Sequence, residues 1–65
     1  MVLVYKNGSP VGQGDEVMIR DVRYVVEGVE EPRTEASTGR VYVREVASGS
    51  HVEQYYPSVI DAKWV

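Results

Sequence analysis

Residues 53–65 read EQYYPSVIDAKWV, and three of the chain's six aromatic side chains, Tyr55, Tyr56 and Trp64, fall within them. The proline closes an extended segment, PSVI is long enough for one helical turn, and AKWV (62–65) reads as a short last strand. Adjacent tyrosines in a strand point to opposite faces, so one of the pair belongs to a core and the other to a surface. Which is which depends on the strand before them.

That strand spans about 40–46 and its partner about 51–56. A two-residue turn at Ser48 and Gly49 pairs Ala47 with Ser50, Arg44 with Glu53, Tyr42 with Tyr55 and Val41 with Tyr56. This register sends Tyr56 inward with Val41 and Val43 and leaves Tyr55 outward beside Tyr42. Its one misfit is Glu45, turned inward near the strand end.

Working towards the N-terminus, valine recurs in short runs broken by Gly, Pro, Asp and Ser. No stretch keeps the i, i+3, i+4 spacing of a surface helix. The chain reads as all-β, with further strands at about 2–5, 15–20 and 23–30. The turn signals NGSP (7–10) and GQGD (12–15) mark KNGSPVGQG (6–14) as a turn or loop. The GQGD run lacks the third glycine and following helix of a nucleotide-binding loop. Folding DEVMIR onto VRYVVEGVE about Asp21 and Val22 sets Ile19 opposite Tyr24 and Val17 opposite Val26 on one face. Met18 then meets Val25 on the other, and Arg20 meets Arg23, an unfavourable like-charge pair. Val26 and Val29 both read as buried, so the alternation changes phase at Gly28, as at a bulge.

Sixty-five residues are expected to form one domain, 1–65, that buries only about 60% of its unfolded surface. Cysteine is absent and His51 is the single histidine, which leaves no thiolate metal site and little material for a catalytic triad. His51 follows a turn and is expected to be exposed. No cofactor, metal or catalytic residue is expected, and the chain reads as a non-enzyme with no pocket of useful size. The opening MVLVYKNGSPVG is neither a signal peptide nor a membrane span, so a cytoplasmic protein without membrane contact is expected. Ten acidic against seven basic residues give a net charge of −3, which disfavours a broad phosphate-binding surface.

Five or six short strands are too few for a two-sheet sandwich but can curl into a small barrel. The layout resembles an SH3-like barrel over residues 14–65. The likeness is carried by GDEV (14–17) entering a strand, two successive hairpins, and PSVI between the fifth strand and AKWV. It implies that the last strand pairs with the first, bringing Trp64 near Val2 or Val4. Residues 37–65, STGRVYVREVASGSHVEQYYPSVIDAKWV, are similar to the C-terminal part of small orphan proteins of actinobacterial phages. That resemblance implies an accessory protein acting in the host cytoplasm and transfers no site residue.

Two surfaces stand out. Arg40, Tyr42 and Arg44 share the outward face of one strand, and Tyr55 is expected to join them. Guanidinium groups interleaved with aromatic rings can clamp a peptide or stack on bases. The structural alternative is an aromatic cross-strand pair plus an Arg44–Glu53 ion pair, each worth under ~1 kcal/mol. Met18 and Val25 form the second surface, apolar and outward, to be covered either by a neighbouring segment such as SPVG (9–12) or by a partner such as a second copy of the chain. The loop EEPRTEASTG (30–39) can also bind on a rigid scaffold. Glu27, Glu30, Glu31 and Glu35 lack the ligand spacing of a calcium loop. The expected function is a protein-interaction module acting on a host or phage protein. The alternatives are a nucleic-acid-binding barrel and a virion component that self-associates.

Overall fold

In the computed structural model, which describes residues 1–48 and 51–65, the alternation of valine with polar residues becomes six strands and one 3-10 turn, with no α-helix. In chain order these are β1 (Leu3–Val4), β2 (Glu16–Ile19), β3 (Val22–Glu30), β4 (Arg40–Glu45), β5 (Val52–Tyr55), the turn Pro57–Ile60, and β6 (Lys63–Trp64). The protein is all-β. Strands β2-β3-β4-β5 form one antiparallel sheet and β1-β6 a second, so the ladder does not close into a continuous cylinder.

The core lies on the inner face of the larger sheet. Val26, Val41 and Val43 are fully buried, with Val17, Ile19 and Tyr24 beside them. Leu3, Ile60 and Ala62 cover them from β1, the 3-10 turn and the residue before β6. Each buried aliphatic side chain contributes roughly 1.5–3 kcal/mol. β1 and β6 pair Leu3 with Trp64 and Val4 with Lys63, so Trp64 sits between Val2 and Val4, as the barrel resemblance implies. The NGSP turn forms with Asn7 Oδ1 accepting from the Ser9 amide. In the GQGD turn, Asp15 Oδ2 accepts from the Gly12 amide at 2.9 Å and from the Tyr5 hydroxyl at 2.7 Å.

Two registers differ from expectation. The β2-β3 turn is Arg20-Asp21, both with positive φ (52° and 65°), rather than Asp21-Val22. Such paired left-handed residues match the twist of the flanking strands. The partners become Val17–Tyr24, Met18–Arg23 and Glu16–Val25. A shift of two residues keeps every side chain on its face. It also replaces the Arg20–Arg23 clash by a bidentate pair of Arg23 on Glu16 at 2.9 and 3.0 Å.

The β4-β5 register slips by one: Val41 faces Tyr55, Tyr42 faces Gln54, Val43 faces Glu53 and Arg44 faces Val52. An odd number of residues separates the last pair, where a two-residue turn would leave an even number. The expected turn residue Gly49 and the Ala47–Ser50 pair lie outside the described residues. A slip of one reverses every side chain of β5. Tyr55 therefore points inward, edge-on to Tyr24 with centroids 6.1 Å apart, and Tyr56 is the outward one, 55% exposed. Glu45 stays at the inner strand end, opposite Tyr24 and half-buried.

The bulge falls between Val26 and Gly28, where the change of phase places it. Val29 is nevertheless 42% exposed, although its ladder partner Val41 is fully buried.

Candidate functional site

Because Val41 and Val43 turn into the core, Arg40, Tyr42 and Arg44 emerge together on the outer face of β4. The Arg44 guanidinium lies 3.7 Å from Glu27, and the Tyr42 hydroxyl donates to Glu30 at 3.2 Å. Partial burial, and then the Glu30 charge, hold that phenol above its ordinary range. Arg40 stacks on the ring of Tyr56, 4.3 Å from its centroid, and donates from Nη1 to the Gly39 carbonyl at 2.8 Å.

Tyr55, expected in this group, is not part of it. The one-residue slip carries it to the core side, where its hydroxyl donates to Glu53 at 3.2 Å. Glu53 in turn faces Val43 rather than Arg44. Tyr56 takes the outward place, and the only signal for it in the sequence is the parity of the hairpin loop.

The loop between β3 and β4 folds back over the sheet end. Trp64 Nε1 donates to the Thr38 carbonyl at 2.8 Å, joining the loop to β6 across 26 positions of sequence. Gly39 makes this approach sterically feasible. Its φ is +71°, and a Cβ there would stand 2.3 Å from the Glu30 carbonyl oxygen and 3.1 Å from the Trp64 ring. Where the loop stands off the 3-10 turn it leaves a cleft of about 340 Å³ whose walls include Pro32, Thr38, Pro57, Ala62, Lys63 and Trp64. A second cleft of about 400 Å³ lies among Thr34, Ala36, Ser37, Thr38, Arg40 and Tyr56. The two share Ser37 and Thr38 as a common wall, and Tyr56-Pro57 links them along the chain. Both clefts are open to solvent and are bordered by the loop tethered at Thr38.

No family model, curated protein or solved structure matches this chain.

Met18 and Val25 both lie on the outer face of the larger sheet, Met18 55% exposed and Val25 half-buried, but they do not oppose each other. Their partners across the ladder are Arg23 and Glu16, which are paired with each other. SPVG does not cover them. Pro10 bridges Val4, and Val11 donates its amide to the Leu3 carbonyl and packs against the inner core. Val46 and Val52, 46% and 41% exposed, extend the apolar part of this face. His51 is exposed, and among the described residues no three metal-capable side chains converge. No helix among them is long and apolar enough to cross a membrane.

Proposed function

We propose that residues 1–65 form one small SH3-like barrel that serves as a non-enzymatic protein-interaction module, a phage accessory protein acting on a host or phage protein in the cytoplasm. The observation that carries the interaction reading is the pair of adjoining clefts walled by Trp64, Pro57, Tyr56 and Arg40. Trp, Tyr and Arg are the residues most enriched where protein interfaces concentrate their energy. Two adjoining hairpins, a 3-10 turn before β6 and the β1–β6 pairing support the barrel reading. The likeness of residues 37–65 to phage proteins supports the biological setting.

The stripe Arg40, Tyr42, Arg44 also suits a nucleic-acid-binding barrel. The Glu27 and Glu30 carboxylates beside Arg44 and Tyr42 favour a protein partner over a phosphate backbone. A self-associating virion component is favoured by the exposure of Met18, Val46 and Val52 on one sheet face.

The test immobilises the intact protein and an Arg40→Ala, Tyr56→Ala variant that melts normally, and challenges both with bacterial lysate before and after nuclease. A protein held by the intact form despite nuclease and lost by the variant supports the module. Release by nuclease transfers the assignment to nucleic acid. Equal retention by both forms rejects the cleft as the binding site.

A further inference from the structure

The charges lining the paired clefts run against those of the molecule. The chain carries ten acidic and seven basic residues, for a net charge of −3. Yet among the described residues Lys63 is the one charged side chain walling the first cleft and Arg40 the one walling the second, and none of those lining either is a carboxylate. The nearest carboxylate to Arg40 across the ladder, Glu30, already accepts from Tyr42 at 3.2 Å and lies 3.7 Å from Arg33. Arg40 gives one N–H to the Gly39 carbonyl. A guanidinium has five donors in a planar fork, and stacking on Tyr56 fixes that plane at the cleft. The other compartment offers the opposite chemistry, with Pro32, Pro57, Ala62 and the Trp64 ring along its walls.

From this charge complementarity we infer that the clefts take an extended peptide of amphipathic acidic character. An apolar side chain sits against Trp64 and Pro57, and an Asp or Glu carboxylate a few residues further along is received by the fork of Arg40. This rests on the interaction-module reading and adds the class of ligand to it. The carboxylate accepts two N–H bonds from a preorganised donor, and the apolar residue leaves water against an aromatic wall. The two subsites together define a direction for the bound strand. The same arrangement disfavours basic peptides, because Lys63 and Arg40 would face like charges.

The experiment selects a random heptapeptide display library on the intact protein, counter-selected on the Arg40→Gln, Tyr56→Ala variant. Binding of a synthetic consensus peptide is then followed by the fluorescence of Trp64, the single tryptophan. The expected consensus pairs an apolar residue with Asp or Glu. Replacing that carboxylate by its amide weakens binding by about tenfold or more, as for a lost hydrogen bond to a charged group. Arg40→Gln should cost a similar factor, and the two losses should not multiply when combined. If Arg40→Gln fails to fold, the amide peptide gives the same answer on the unaltered protein. Enriched peptides that lack a carboxylate, or that bind equally well as amides, overturn the ligand class and leave the module standing. A selection yielding no binder overturns both.

Discussion

Gly39 shows how one residue can hold the site together. Its positive φ and the approach of the Glu30 carbonyl leave no room for a side chain, and that carbonyl is backbone that cannot rotate away. Gly39→Ala should therefore destabilise the protein by about 2 kcal/mol or more, read as a lower urea midpoint. A midpoint within error of the intact protein would contradict the loop path. Asp15 offers a second residue-level prediction. The bond from the Gly12 amide, and then that from the Tyr5 hydroxyl, hold its carboxyl below the ordinary range and outweigh the opposing desolvation. A lowered folded-state value means the native protein binds the proton less readily than the unfolded chain. The resulting stability is present at neutral pH and is lost as pH drops below about 4 through the folded value. Asp15→Asn should start with a lower urea midpoint at pH 7 and lose less than the intact protein between pH 5 and 2; parallel losses would discount the Asp15 contribution. At the other extreme of pH, Tyr24 is held up at about 12, chiefly by its hydrogen bond with Tyr55 and then by burial, with the Glu53 charge adding.

Among the elements, β4 was the most legible. Two valines alternating with Arg40, Tyr42 and Arg44 allow only one choice of inner face, and the structure keeps it. The β2-β3 hairpin was legible by face even though its turn was misplaced, because a shift of two residues preserves the alternation. β5 was not legible. Its four residues, VEQY, put one apolar and one polar side chain on each face, so nothing in the strand opposes a slip, and its face follows from the parity of the loop. The two tyrosines make this measurable. Tyr55→Ala should cost about 2 kcal/mol or more for a ring packed on the core, whereas Tyr56→Ala should cost under about 1 kcal/mol for an exposed cation–π contact. The reverse ranking in a denaturant titration would restore the other register. The clefts were hidden for a related reason: the Trp64–Thr38 bond joins segments whose meeting no local pattern announces.

On the scale of the whole molecule, few side chains are spare. Among the described residues ten buried hydrophobic side chains form the core, and two of them, Leu3 and Val4, come from β1, which pairs with β6 on one side and is bridged by Pro10 and Val11 on the other. Removing residues 62–65 takes away Ala62, Trp64 and the ladder that holds β1. The truncated chain should lose its cooperative thermal transition, as followed by Trp-independent far-ultraviolet dichroism; a sharp melt in the truncated chain would mean that β1 and β6 are dispensable. The same pairing has a mechanical meaning. Val2 and Val65 exchange both backbone hydrogen bonds, at 2.8 and 2.9 Å, at the outer end of an antiparallel pair. Force applied between residues 1 and 65 therefore loads those bonds one after another, like a zip, rather than sharing the load in shear. Tension on this molecule would peel away β1 and β6 first, opening the wall that holds Trp64 before the larger sheet is strained.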